Sequence, residues 1–248
     1  MSKVALITGG SRGIGAATAI YLAAKGYNIC INFKSNNVAA LQVLEKVKSY
    51  GVKGISVKAD VSDETDVIRL FHEIDEKLGT ITHLVNNVGV LFPQSRVEDL
   101  TALRINTILT TNVTSYFLCC REAIKRMSTH HGGKGGAIVN VSSAASRLGS
   151  PHEYIDYAAS KGAIDTLTTG LSLEVASENI RVNCVRPGFI HTDMHADGGE
   201  PDRINRVKEN IPLQRGGQPI EVASAIAYLL DDEASYITGT FMDLAGGK

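Results

Sequence analysis

Short apolar runs alternate with stretches of helical periodicity along the whole sequence, and this alternation leaves few folds open. Val4-Ala5-Leu6-Ile7 is continuously apolar, as expected of a strand buried on both faces. Behind it Ile14, Ala17, Thr18, Tyr21 and Leu22 recur at helical spacing until Gly26 stops them. The exchange then repeats. Further strands are expected at Asn28–Phe33, Gly54–Ala59, Ile81–Val85, Ala137–Val141, Ile180–Val185 and Tyr236–Leu244. Helices are expected at Val38–Tyr50, Asp63–Leu78, Leu100–Met127, from Tyr157 to about Ser177, and at Ile220–Leu230. Asp63, Glu64 and Asp66 stand in the first turn of one of these, where the helix dipole favours acids. Pro187 to Pro212 reads as a long irregular or mobile segment. The pattern predicts an α/β fold, a doubly wound seven-stranded parallel sheet with helices on both faces. No linker, repeat or low-complexity stretch divides it, so residues 1–248 are expected to form a single domain.

Composition narrows the partners. The chain is 44% hydrophobic and 21% charged, and 25 basic residues nearly balance 26 acidic ones. A formal charge of -1 gives no reason to expect nucleic acid or an anionic membrane. No apolar run is long enough to span a bilayer, and Met1-Ser2-Lys3 leads straight into a strand, leaving no room for a signal peptide. Cys30, Cys119, Cys120 and Cys184 show no C-x-x-C spacing, and the adjacent pair would point about 100° apart on a helix. All four read as reduced thiols of a cytoplasmic protein.

Two motifs carry chemistry. The first is the turn Thr8-Gly9-Gly10-Ser11-Arg12-Gly13-Ile14-Gly15 between the first strand and helix. Gly9, Gly13 and Gly15 let the backbone approach a pyrophosphate, and the helix opening near Gly13 aims its N–H groups at that anion. A lone glycine cluster would as readily be a plain tight turn; the strand before it and the helix after it favour a dinucleotide site. An NAD site usually carries an acid at the end of the second strand for the ribose 2′-hydroxyl. Here no Asp or Glu precedes Glu45, while Arg12 lies in the turn and Lys34 closes the second strand. Both cations suit a 2′-phosphate, so NADP(H) is expected to be preferred over NAD(H).

The second motif is Tyr157-Ala158-Ala159-Ser160-Lys161. A tyrosine and a lysine four apart on a helix share a face. An ammonium beside a phenol should stabilise the phenolate and pull its pKa below the usual value of about 10. Such a phenol can give or take a proton near neutral pH. Tyr154, two turns from Lys161, is better read as a pocket wall or surface aromatic.

With Asn86-Asn87-Val88-Gly89 and Asn140-Val141-Ser142-Ser143 between them, these motifs resemble the short-chain dehydrogenase/reductase family, from Val4 to about Gly247. The resemblance implies a Rossmann-type fold and an enzyme that interconverts a ketone or aldehyde and a secondary alcohol by hydride transfer. It implies that Asn112, Ser142 or Ser143, Tyr157 and Lys161 surround the nicotinamide. Tyr157 would be the acid/base, a serine hydroxyl would hold the carbonyl oxygen, and Lys161 would tune Tyr157 and hold the nicotinamide ribose. Asn112 would hold a water that relays protons to Lys161. Gly9, Ser11, Arg12, Gly13, Ile14 and Gly15 would line the phosphates, Asp60 and Val61 would receive the adenine, and Asn87 and Gly89 would pass close to the adenosine ribose. Pro187, Gly188, Ile190 and Thr192 resemble the family's clamp on the nicotinamide carboxamide. In the family the active serine usually stands thirteen residues before the tyrosine, but here that position is Ala144. Adjacent residues leaving a strand point opposite ways, so only one serine can serve. Ser143 is expected, with the extra residue absorbed near Gly149-Ser150-Pro151. Val88, where the family commonly has alanine, and the ending Asp243-Leu244-Ala245-Gly246-Gly247 depart from its pattern.

The family resemblance further implies a homotetramer, and Leu167, Leu171 and Val175 offer an apolar stripe for it. His191, Asp193 and His195 lack the clustering of a structural metal site, so no metal is expected. A small carbonyl or alcohol substrate is expected, with 3-oxoacyl thioesters and sugars such as glucose as alternatives. A pocket built from Leu91-Phe92-Pro93, Leu148 to Tyr154 and Phe189 to about Pro212 mixes apolar and polar groups and names no substrate. A non-catalytic NADP sensor would keep this fold and lose the proton donor; the retained Tyr157, Lys161 and Asn112 argue against it.

Overall fold

The computed structural model describes residues 3–248. Its strands are β1 (Val4–Ile7), β2 (Asn28–Phe33), β3 (Gly54–Lys58), β4 (His83–Asn86), β5 (Gly136–Val141), β6 (Ile180–Pro187) and β7 (Phe241–Leu244). They join in one parallel sheet of order β3-β2-β1-β4-β5-β6-β7. The helices are α1 (Gly13–Ala24), α2 (Asn37–Lys48), α3 (Glu64–Lys77), α4 (Ala102–Leu109), α5 (Ser115–Met127), α6 (Ala145–Leu148), α7 (Ile155–Glu174), α8 (Met194–Asp197), α9 (Arg203–Val207) and α10 (Pro219–Leu230). This is the doubly wound Rossmann-type arrangement that the alternation predicts.

Period-two side chains split the core into two layers. Ile7, Ile29 and Ile31 pack with Leu22 of α1, Val47 of α2 and Ile226 of α10. Leu6, Leu84 and Ile138 face the other way, onto Phe71 of α3, Cys119 of α5 and Leu171 of α7. Residues of β1 are buried on both sides, which is why that run is continuously apolar. The chain builds β1 to β3 outward in one direction and then crosses back to lay β4 beside β1. A crevice opens beyond the carboxyl ends of β1 and β4 at such a reversal.

Several expected elements differ. The helix expected at Leu100–Met127 is broken: Thr110–Thr114 wind as a π-helix between α4 and α5. The wider turn carries Asn112 inward to full burial. The last strand is shorter than Tyr236–Leu244. Gly239 takes a left-handed conformation (φ 72°), and Tyr236 is fully exposed. Helix α7 stops at Glu174 rather than near Ser177, closed by a 3₁₀ turn and left-handed Asn179. The segment expected to be irregular from Pro187 holds α8 and α9. The stripe of Leu167, Leu171 and Val175 does not offer itself to a partner. Leu171 and Val175 are in the core against the sheet, and Leu167 packs on it. Leu173, beside that stripe on the helix, is the exposed one at 78%.

Candidate active site

The glycine turn is built by close approach. Thr8 and Gly10 donate N–H bonds to Val85 and Asn32 carbonyls at 3.0 and 2.9 Å. The buried Asn32 amide takes the Gly9 N–H and reaches the Ala59 carbonyl, so it ties the turn to the ends of β2 and β3. Asn87 donates its amide to the Thr8 and Gly9 carbonyls. Gly9 and Gly13 are left-handed (φ 61° and 54°). Ile14 packs on the core, and Ser11 lies between the two conformational hinges of the turn. A Cβ on Gly15 would sit 2.5 Å from the Gly9 carbonyl oxygen and 2.6 Å from the Asn87 amide. Neither atom can retreat without opening the turn. Gly15→Ala is therefore expected to cost about 1–3 kcal/mol. At about 2–4 °C per kcal/mol this is a several-degree fall in Tm by differential scanning fluorimetry. An unchanged Tm would show that the turn is looser than drawn.

This turn suits a nucleotide phosphate. No side chain caps the N-terminus of α1, and no acid stands in its first turn. Its first N–H groups are thus left for an anion. Arg12 and Lys34 border it, both more than half exposed. Each has a counter-ion that the sequence reading did not assign: Arg12 pairs with Asp197 at 2.7 Å and Lys34 with Asp60 at 2.6 Å. Asp60 also accepts from Ser62, and Val61 beside it is buried. Thr192 packs on Gly13, with its hydroxyl turned to the Ile190 carbonyl, so the loop after β6 closes over the turn. Gly188 allows the backbone to pass against Ala245, and the Pro187 carbonyl accepts the Ala144 N–H.

Tyr157, Ser143, Lys161 and Asn112 gather beyond β4 and β5. The N-terminus of α7 is fixed by Asp156, which accepts the Tyr157 N–H and pairs with Arg104 at 2.7 Å. Burial pushes the Tyr157 phenol above its ordinary range; Ser143 and the Arg203 charge pull it back in part. Lys161 is buried, and burial lowers it to about 8. Its ammonium donates to the Val141 carbonyl at 2.8 Å and lies 3.4 Å from the Tyr116 hydroxyl. It sits 5.7 Å from the centre of the Tyr157 ring. The expectation that Lys161 pulls the Tyr157 pKa below 10 is not met in this arrangement: the lysine is held by β5 and Tyr116, and desolvation of the phenol wins.

Ser143 and Ser142 diverge. Ser142 is buried and donates to the Lys161 carbonyl at 3.0 Å. Ser143 faces Tyr157, accepts the Ala145 N–H and makes only a long 3.4 Å contact to Pro187. Gly149, Ser150 and His152 are all left-handed, a tight irregular turn at the place expected to absorb the extra residue. Asn112 uses its amide on the Val90 N–H, the Val90 carbonyl and the Ser160 hydroxyl, 2.8 to 3.1 Å away. A Cβ on Gly89 would lie 3.5 Å from the Lys161 nitrogen and 3.8 Å from the Asn112 oxygen. Glycine there keeps the space beside both groups clear.

The three stretches expected to wall a pocket do meet. Gly198 packs on Leu91 and accepts from the Tyr154 hydroxyl, and Gly199 lies on Pro93. Tyr154 is buried as a wall and stacks under Arg203, whose guanidinium is 4.5 Å from its ring centre. Among the described residues no three His, Cys, Asp or Glu side chains gather as for a metal, and His195 is turned to the Ile190 carbonyl. A cavity of about 720 Å³ lies at the opposite end of the sheet, beside Lys3, His83 and Arg181, and holds none of these groups. Tyr116, Ser160, Asn32 and Arg203 were missed in the sequence. Tyr116 and Ser160 were within reach, since one stands four after Asn112 in the same stretch and the other between Tyr157 and Lys161; a lone Asn32 or Arg203 carries no such signal.

The site thus sets a candidate phosphate-binding turn beside a half-buried tyrosine and serine and a buried lysine. Comparison with known proteins bears on the chain as a whole. A family profile described as "Enoyl-(Acyl carrier protein) reductase" matches residues 9–248. "Uncharacterized oxidoreductase YgfF" of Escherichia coli K12 is 64% identical over 245 residues, 99% of each chain. "3-oxoacyl-[acyl-carrier-protein] reductase FabG" of Staphylococcus aureus is 34% identical over 252 residues, covering 100% of this chain and 98% of its own. Among solved structures, acetoin dehydrogenase YohF from Salmonella typhimurium superposes with a TM-score of 0.87 at 32% identity, over 100% and 97% of the two chains. A likeness that runs over essentially the whole chain makes this chain a member of the short-chain dehydrogenase/reductase family of oxidoreductases, which use a nicotinamide cofactor.

Proposed function

We propose that the protein is an NADP(H)-dependent carbonyl reductase or alcohol dehydrogenase of small ketones and aldehydes. The observation that carries this is the half-buried Tyr157 beside Ser143, one turn from the buried Lys161. The bound nicotinamide supplies or accepts the hydride. The residues that would hold the cofactor are Gly9 to Gly15, Asp60, Val61, Asn87, Gly89 and the loop from Pro187 to Thr192. Tyr157 gives its phenolic proton to the carbonyl oxygen in reduction and takes it back in oxidation. A phenol held protonated by burial is in the right state to act as the acid. The Ser143 hydroxyl donates to the same oxygen and steadies its developing charge. Lys161 and Asn112 fix the far side of the site through Val141, Tyr116, Val90 and Ser160.

The preference for NADP(H) follows from Arg12 and Lys34 and from the missing acid after β2. Both cations are already paired, Arg12 with the exposed Asp197 and Lys34 with the partly exposed Asp60, and both cations are themselves more than half exposed. Such pairs are worth only about 0.2–1 kcal/mol. A charge-assisted bond to a 2′-phosphate is worth about 1.5–3 kcal/mol, so exchange favours the cofactor. kcat/KM is expected to be roughly 10- to 100-fold higher with NADPH than with NADH. Equal or better use of NADH would defeat the preference.

Exposed Leu103 and Phe117 on α4 and α5, with Leu173 on α7, support a homotetramer. The four buried, unbridged cysteines support a reducing, cytoplasmic setting. The relatives' names point to different substrates, a 3-oxoacyl thioester for one and acetoin for another. The catalytic groups do not choose between them.

A further inference from the structure

Asp156 is a buried carboxylate, its side chain 3% exposed, and it stands next to Tyr157 in the first turn of α7. A charge is kept out of water only where partners hold it. Arg104 of α4 supplies them, with Nε 2.7 Å from one carboxylate oxygen and Nη2 3.4 Å from the other. The second oxygen also accepts the Tyr157 N–H at 2.9 Å. The first N–H groups of a helix have no acceptor inside it, and Tyr154 at the N-cap offers no side-chain cap. Asp156 caps the turn from within.

Arg104 reaches a third segment. Its Nη1 donates to the Pro93 carbonyl at 2.7 Å, and its guanidinium lies 5.8 Å from the Phe92 ring centre. Phe92 and Pro93 belong to the pocket wall, where Gly199 lies on Pro93. One cation therefore joins the start of the helix bearing Tyr157, that wall, and α4, which runs on into the turn carrying Asn112. None of its hydrogen bonds goes to the Tyr157 hydroxyl, Ser143 or Lys161. The rest of α7 is fixed along its length without this pair. Ile164 and Leu171 lie in the core, and Thr168 receives the Asn140 amide at 3.0 Å. Only the first turn, with Tyr157, depends on Asp156. Chemistry is more sensitive to position than folding is, and a misplacement of about 1 Å can cost roughly 100-fold in rate.

We infer that Arg104 and Asp156 are positioning residues for the Tyr157 hydroxyl: their ion pair holds the first turn of α7 against the wall at Phe92 and Pro93, and so sets the distance from the phenol to a bound carbonyl. The inference rests on the reductase reading and adds to it two residues that act through Tyr157 rather than on substrate.

The test asks whether the pair acts through that one hydroxyl. The variants are Asp156→Ala, Asp156→Asn, Arg104→Met, Arg104→Lys and the double variant Arg104→Met/Asp156→Ala. Asp156→Ala and the double variant are also made in Tyr157→Phe. The probe is whichever of 4-nitrobenzaldehyde, 2-butanone and acetoacetyl-coenzyme A the wild type reduces fastest with NADPH. kcat is expressed per NADPH-binding site, so a misfolded fraction does not count. Asp156→Ala and Arg104→Met are expected to lose roughly 10- to 100-fold in kcat, with NADPH affinity within about threefold of wild type. The double variant should be no slower than the slower single, since residues that act as a unit are not additive. Asp156→Asn keeps an acceptor for the Tyr157 N–H and Arg104→Lys keeps a cation, so each should lose less than its apolar counterpart. In Tyr157→Phe the same changes should cost less than about threefold, because the hydroxyl that the pair positions is already gone. A single variant leaves one charge without its partner; if it does not fold, the double variant, which leaves none, makes the comparison in both backgrounds. A merely structural pair would lower Tm and leave kcat per site within about threefold of wild type, and that result would overturn the inference. An equal loss in both backgrounds would overturn it too, since the pair would then act on something other than the hydroxyl. Wild type that binds NADPH but reduces none of the three probes would instead bring down the reductase reading, and this inference with it.

Discussion

Tyr157→Phe is expected to fold, to bind NADPH as the wild type does, and to lose about 10²- to 10⁴-fold in kcat. The substitution removes one hydroxyl and changes little volume. Its fold should persist because α7 is anchored elsewhere, by Asp156 to Arg104 at its start and by Leu171 and Val175 against the sheet. What disappears is the phenol that faces Ser143. Tyr116 and Tyr154 cannot stand in. The Tyr116 hydroxyl is committed to the Val141 carbonyl at 2.9 Å and that of Tyr154 to the Gly198 carbonyl at 3.2 Å. The loss should appear at every pH, since a missing acid is not restored by titrating another group. Stopped-flow hydride transfer separates this step from product release. A variant that keeps more than about a tenth of wild-type kcat would show that Tyr157 is not the acid.

Ser143→Ala is expected to lose about 10²- to 10³-fold in kcat/KM, while Ser142→Ala stays catalytically close to wild type. The two serines have the same chemistry and adjacent positions, so the difference is one of direction alone. Ser142 spends its hydroxyl on the Lys161 carbonyl inside the packed junction of β5 and α7. Its removal takes one hydrogen bond from that junction, while the Lys161 carbonyl keeps its place in the ladder of α7, a loss of about 0.5–1.5 kcal/mol that falls on stability. Ser143 faces Tyr157 and accepts the Ala145 N–H, and its donated contact to the Pro187 carbonyl is long, so a substrate oxygen can replace that contact. Measuring kcat/KM and Tm for both variants gives opposite patterns under this assignment. A crippled Ser142→Ala with a near-normal Ser143→Ala would reverse it.

The layered fold was legible because its strands are buried on both faces. Val4-Ala5-Leu6-Ile7 cannot be a surface segment, and the helices between such runs must cover both sides. The glycine turn was legible because close approach needs glycine at Gly15 whatever surrounds it. Other features depend on contacts that no periodicity encodes. The π-helix at Thr110–Thr114 differs from its neighbours only in where Asn112 finds partners, on Val90 and Ser160 far along the chain. Leu167, Leu171 and Val175 make one apolar stripe whether it meets a sheet or a second chain, and the sheet lies closer. The Lys161 ammonium sits one helical turn from Tyr157, but spacing says nothing of the Val141 carbonyl that claims it. Arg12 and Lys34 read as free cations because Asp197 and Asp60 are distant in sequence. Arg203 reads as a solvated charge in an irregular stretch, and only the packing of α9 on Tyr154 and Phe189 buries it.

The central claim, a reductase that works through the half-buried Tyr157 at a nicotinamide site, is tested most directly by following NADPH absorbance at 340 nm with the purified wild type and a panel of ketones, aldehydes and 3-oxoacyl thioesters. The account predicts carbonyl-dependent loss of absorbance with at least one class, and its near abolition in Tyr157→Phe under the same conditions. NADPH bound but unconsumed across the whole panel would contradict it, and would mark the protein as a nucleotide sensor that kept the fold without the reaction.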